Sequence, residues 1–451
     1  MKKNKLIGIA ITTSLLLSSC SPNQPELFSC EDPDQISQQT EPENLNISIR
    51  VDGSGSMLGY VSNSQSNYVK TLQSLDDIFY SHPRVNYYRS GLDKNTNSFN
   101  QEISINLFDK AQNEEFYDES NPSLFPGVTS ALAETITPLE NQEQLLIIVT
   151  DLVADEAKVE EINRKVNDYY FSKPGYAAAI VGIKSEFDGK VYVTSEGKIN
   201  SFEHEKDRPF YLLWLGPHQT IIDYLKQLKK TENFPDNSEI VIFAPHNLVQ
   251  DFVYLDGEVN SSSDENVITK KNHYLGSGQS KVEAEDERSQ LWEIIDRNKK
   301  IDISDSVSIS LSEYSLAIKT NSIITNSQVE FFSNYSPEGK DVTQNFKNSS
   351  AIKLHSWKIS EDKTQLSFIN TINTNKFTKS GTYLFTVDIV AKDLKIPVWW
   401  AEWSQDVGSP NDGSKTQNLS RLLKRFTSPT ITSIQGNSNV IGRFCYAFWL
   451  K

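Results

Sequence analysis

The stretch Ile47 to Met57, ISIRVDGSGSM, decides how this chain is read. Ile47, Ile49 and Val51 alternate with Ser48 and Arg50, the period of two that a strand with one buried face requires. The apolar run stops at Asp52, and Gly53 and Gly55 then allow a sharp turn through positive φ. Within the turn Asp52, Ser54 and Ser56 stand at alternate positions, so a carboxylate and two hydroxyls can converge on a hard cation while the glycines keep Cβ atoms away. Taken alone, such a Gly/Ser/Asp turn ordinarily does no more than reverse the chain.

Two later segments add to it. Gly127-Val128-Thr129 opens a helical pattern (Ala131, Leu132, Ile136), which places the Thr129 hydroxyl near an expected helix start. Leu145 to Thr150, LLIIVT, is a continuous apolar strand that ends at Asp151, where a parallel strand presents its side chain at the carboxyl edge of a sheet.

With Asp52, Ser54, Ser56, Thr129 and Asp151 in this order, the chain resembles the von Willebrand factor A (vWA) family and its metal-ion-dependent adhesion site, over residues 44 to 235. The resemblance implies that the five side chains hold Mg²⁺ or Mn²⁺ and leave a position open for an Asp or Glu of a protein partner. It also implies a doubly wound, mostly parallel α/β sheet of about six strands. The strand-helix alternation agrees: strands at 45–51, 85–88, 145–150, 176–183 and 210–215, and helices at 68–79, 128–137, 155–170 and 221–228. Gly189 to Phe202 reads as a hairpin.

Beyond this unit, residues 236–300 read as a connecting strand (Glu239 to Ala244), a polar loop and a charged helix from Glu283 to Arg297. From residue 301 the period drops to two in short runs, Val307–Leu311, Ser315–Ile318, Val329–Phe332, Ala351–Trp357, Leu366–Ile369, Thr382–Val390 and Val440–Leu450, which predicts a β-rich, immunoglobulin-like sandwich to residue 451. Trp399, Trp400 and Trp403 read as packing between layers, and Leu419, Leu422 and Leu423 as a short amphipathic helix.

The N-terminus carries a different message. Lys2, Lys3 and Lys5 precede an apolar run from Leu6 to Leu17 that stops at Ser18-Ser19-Cys20, the form of a secretory signal rather than a spanning helix. With cysteine after the small pair, residues 1–20 resemble a bacterial lipoprotein signal. That resemblance implies a lipid on Cys20 and, with Ser21 following where an Asp would hold the protein at the inner membrane, a place at the outer membrane. Residues 21–43 have the composition of a disordered tether. If Cys20 is acylated, Cys30 and Cys445 are the one possible disulfide pair; the alternative is two free thiols.

Composition narrows the partners. The 451 residues exceed one compact core, and a net charge of -15 argues against a nucleic-acid partner. The Asp52 turn is not a nucleophile elbow and lacks the second Asp of an Asp-x-Asp phosphatase loop; no His-Glu-x-x-His, Cys-x-x-Cys or phosphate loop occurs, and the six histidines stand at polar positions that read as surface or turn. The expectation is therefore a binding protein, not an enzyme, that meets the membrane only through its lipid. The competing readings are an envelope assembly factor with a purely structural metal and a metal-dependent hydrolase.

Overall fold

The computed structural model describes residues 25–30, 45–93, 100–103, 106–138, 144–195, 198–246, 249–251, 253–254, 266–277, 280–285, 289–308, 310–311, 314–333, 351–360, 365–406, 409, 411–435 and 440–451. The signal segment and Cys20 lie outside the described residues. Among those described, no helix is long and apolar enough to cross a membrane.

At the centre is a seven-stranded sheet. In spatial order its strands are Glu239–Phe243, Tyr176–Ser185, Arg208–Pro217, Gln144–Thr150, Asn46–Asp52, Val85–Ser90 and Asn100–Ile103. Only Asn46–Asp52 pairs in parallel, with Val85–Ser90 on one side and Gln144–Thr150 on the other. The remaining neighbours run antiparallel. This overturns the doubly wound, mostly parallel sheet. A fully buried run such as Phe210 to Leu215 shows only that both faces are covered and is silent on direction. Direction was set by the connection: the hairpin of Asp188–Ser195 and Lys198–Glu205 stands where a crossover helix would, so Arg208–Pro217 returns antiparallel against Tyr176–Ser185.

Each face of the sheet packs on its own core. Ile47, Ile49, Val51, Leu145, Ile147, Val149, Leu212 and Trp214 face helices Asn67–Phe79 and His218–Leu228. The first of these helices starts at Ser66, whose Oγ accepts from Val69 N at 3.2 Å, and buries Tyr68, Leu72, Leu75 and Phe79 at helical spacing. The opposite face carries Leu146, Ile148, Ala178, Ile180, Tyr211 and Leu213, and its core continues without a break into Phe385, Val387 and Phe444. Ser48 and Arg50 point that way too. Buried there, Arg50 donates to Thr135 O and lies over the Tyr88 ring at 5.6 Å, so it is an interlayer residue.

The C-terminal region is β-rich but not an immunoglobulin-like sandwich. Its larger, six-stranded sheet is mixed: Val440–Leu450 lies parallel to Ser289–Ile294 and antiparallel to Gly381–Ala391. A separate antiparallel sheet holds Lys300–Ser308, Gln365–Asn373 and Ile352–Ile359. Helix Leu419–Gln435 runs further than its sequence pattern, through Pro429, and lies on the central unit: Phe426 meets Phe243 at 5.6 Å, and Arg425 pairs with Glu160 at 2.7 Å. Trp400 lies beside Phe243 and Trp403 over Gly182, the interlayer role read from their crowding.

Several local expectations change. The charged helix at 283–297 is replaced by strands Val282–Ala284 and Ser289–Ile294, because partners on both sides outweighed its helical spacing. The polar loop before it contains strands Ile268–Lys271 and Tyr274–Leu275, and Ser315 to Ile318 make bridges rather than a strand. Part of the tether is ordered: Glu26–Phe28 pairs in parallel with Val282–Ala284, and Phe28 is buried. Cys30 and Cys445 form a disulfide with their Cα atoms 5.7 Å apart.

Candidate metal site

Asp52 ends the strand Asn46–Asp52, and Asp151 follows its parallel neighbour Gln144–Thr150, so the register brings both carboxylates to one carboxyl edge. Both aspartates are buried, at 5% and 1% exposure. Three hydrogen bonds orient Asp52: Ser54 N donates to Oδ1 at 3.0 Å, Ser130 Oγ to Oδ2 at 2.8 Å and Thr150 Oγ1 to Oδ2 at 3.2 Å. The Ser54 and Ser56 hydroxyls lie 3.1 Å apart in the following turn. That turn is a short 3-10 helix, Gly55–Tyr60, rather than a positive-φ reversal. Gly53 is needed for space: a Cβ there would lie 2.5 Å from Arg89 Nε. Arg89 in turn fixes the turn's backbone, its Nη2 donating to Gly53 O at 3.0 Å.

Around Asp151 the chain is strained. Leu152 is buried with φ at +53°, a conformation that costs a branched residue roughly 1–3 kcal/mol. An Asx turn supports it, with Val153 N donating to Asp151 Oδ1 at 3.3 Å. The other carboxylate oxygen, Oδ2, is buried without a hydrogen bond. Arg208 Nη2 approaches it to 3.7 Å, within ion-pair reach but too far for a hydrogen bond, and both side chains are 1% exposed. Arg208 also reaches the C-terminal region, Nη1 donating to Gly413 O at 2.8 Å.

These contacts set the electrostatics. Burial pushes the Asp52 carboxyl above the usual carboxylate range, and the nearby Asp151 pushes it further; the hydrogen bonds from Ser54 and Ser130 pull the other way. Burial lowers the Arg89 guanidinium, which Asp52, among other acidic groups, partly restores. An edge that crowds two buried carboxylates favours added positive charge.

The structure thus gathers Asp52, Ser54, Ser56 and Asp151. Thr129 falls differently. Instead of opening a helix it lies in the two-residue strand Val128–Thr129, paired with Leu92–Asp93, and is exposed; the helix is only Leu132–Thr135. Side chains alternate along extended backbone, and here the neighbouring Ser130 supplies the hydroxyl that meets Asp52. Sequence reasoning missed Ser130 and Thr150. In VTS two adjacent hydroxyls compete, and only the strand's orientation chooses between them. It missed Arg208 too, which nothing near residue 208 marks as a partner of Asp151. His218 is likewise not at a surface: it is buried, and burial lowers its pKa to about 4.

The donor set suits a hard cation. Two carboxylates, the hydroxyls of Ser54, Ser56 and Ser130 and a buried carboxylate oxygen without a hydrogen bond are oxygen ligands of the kind Mg²⁺ and Mn²⁺ take. Among the described residues no group of three or more His, Cys, Asp or Glu that could hold a metal ion occurs, and this edge itself brings only two carboxylates. Comparison of the chain with protein-family models, characterised proteins and solved structures finds no match.

Proposed function

We propose that this chain is a lipid-anchored envelope protein that binds a protein partner at the Asp52 edge through a divalent cation, as in a metal-ion-dependent adhesion site. One observation carries the reading: Asp52 and Asp151, both buried, meet at the ends of adjacent parallel strands, and Asp151 Oδ2 has no hydrogen bond. Asp52, Ser54, Ser56 and Asp151 would hold Mg²⁺ or Mn²⁺, with Ser130 in the role first read for Thr129. With so many neutral hydroxyls among its ligands, the bound ion would supply an electrophilic centre for a partner's Asp or Glu carboxylate. The chain's own residues do the positioning: Arg89 holds the turn, and Ser130 and Thr150 fix the rotamer of Asp52.

Titration calorimetry with Mg²⁺ and Mn²⁺ tests this. The expected result is one site on the unaltered chain and none on Asp52→Asn or Asp151→Asn. Equal uptake by all three proteins, or uptake by none, overturns the reading.

The Arg208 contact favours a second reading, in which the edge is structural and Arg208 alone neutralises Asp151. It predicts that the unaltered chain takes up no cation.

A further inference from the structure

The strand Glu26–Phe28, Val282–Ala284 and Tyr274–Leu275 form a small three-stranded sheet. Leu27 and Tyr274 are both in register with Glu283, so the three residues share one face. On the other face Phe28, Val282 and Leu275 are buried in a cluster with the Cys30–Cys445 disulfide. The inward row accounts for the folding of this sheet. The outward row does not: Leu27 is 63% exposed and Tyr274 60% exposed, with Lys281 Nζ 4.6 Å from the centre of the Tyr274 ring. Among the described residues these are two of the most exposed large apolar side chains, and they flank Glu283 on the central strand of this sheet.

We propose that this face rests on a lipid bilayer surface, Leu27 entering the interface and Tyr274 lying at headgroup level with Lys281 beside it. The inference rests on the lipid anchor at Cys20 and adds a second, non-covalent contact to it. Chain length supplies the argument. Seven residue steps separate Cys20 from Leu27, a reach of about 25 Å at full extension, and the disulfide fastens this strand to the body of the protein. The sheet that carries Leu27 is therefore held near the bilayer. At such range a tether raises the effective concentration of a surface enough to populate a contact too weak to form from solution. The residue types fit: tyrosine concentrates at membrane interfaces, and lysine can lay its stem along apolar surface with its charge in water. The net charge of -15 disfavours an anionic surface, so the contact suits zwitterionic headgroups.

The test uses the full acylated chain in phosphatidylcholine/phosphatidylethanolamine vesicles. With Cys30 and Cys445 bonded and Cys20 acylated, Leu27→Cys and Tyr274→Cys each add a single free thiol for an environment-sensitive NBD label; Val398→Cys, at a site 72% exposed, is the control. The expected result is a blue-shifted emission quenched by spin-labelled lipid at positions 27 and 274, with water-like emission at 398. If all three positions stay water-like while the protein floats with the vesicles, the contact is overturned and the anchor stands. A chain that does not float overturns both. A blue shift without vesicles that grows with protein concentration assigns the face to a second copy and also overturns the proposal. Should a cysteine variant misfold, hydroxyl-radical footprinting of unmodified Leu27 and Tyr274, vesicle-bound against Cys20→Ala, must show protection on vesicles; equal labelling refutes it.

Discussion

Replacing Arg208 by Met should expose how the Asp52 edge is balanced. At 3.7 Å and an effective dielectric of about 20, the Arg208–Asp151 attraction is about 4–5 kcal/mol. Removing one partner of such a buried pair typically costs about 3–5 kcal/mol, because the other charge is left uncompensated. The variant also strips the donor from Gly413 O, roughly another 1 kcal/mol. A total near 5 kcal/mol is a large share of the roughly 5–15 kcal/mol that holds a domain folded. The assay is urea unfolding in EDTA for the unaltered chain, Arg208→Met, Asp151→Asn and the double variant, with fluorescence and circular dichroism required to coincide. The double variant carries neither charge, so it should recover about 2–3 kcal/mol relative to the sum of the single losses. Mg²⁺ should then rescue Arg208→Met more than it stabilises the unaltered chain, since a bound cation replaces the missing one; at a hundredfold excess over Kd, binding contributes about 2.7 kcal/mol. A coupling energy under about 0.5 kcal/mol refutes the pairing, and an unfolding curve that Mg²⁺ leaves unmoved refutes the rescue.

Three more expectations follow from single contacts. Ser130→Ala should weaken Mg²⁺ binding about tenfold while Thr129→Ala stays within about twofold, by calorimetry; the reverse order would restore Thr129 to the site. His218 is held neutral, with its pKa lowered to about 4 from an unfolded value near 6.5, so its contribution is complete above pH 6.5 and is lost as pH falls toward 4. The loss amounts to about 3 kcal/mol, and His218→Leu should flatten that part of a stability-against-pH curve; an unchanged slope would mean other groups govern it. Reducing the Cys30–Cys445 bond, which spans 415 residues, should cost about 2–5 kcal/mol and free the Glu26–Phe28 strand to protease; a melting temperature that drops by less than about 2 °C contradicts this.

The sequence by itself determined the two strands that carry Asp52 and Asp151 and the residue types gathered at their ends. Alternation at Ile47, Ile49 and Val51, the apolar run Leu145–Thr150 and the Gly/Ser turn after Asp52 depend on neighbours within a few residues, so they could be read before folding. Asp52, Ser54, Ser56 and Asp151 came out of that reading and do lie together. Direction and partnership were decided by tertiary structure alone. The buried run Phe210–Leu215 has the same composition in either orientation, and its hairpin connection turned it antiparallel. Ser130, Arg208 and the packing of helix Leu419–Gln435 on the central unit follow from pairings between distant parts of the chain, as does the strand at Glu26–Phe28. Periodicity records which side chains seek burial; it carries no information about which surface, arriving from hundreds of residues away, will bury them.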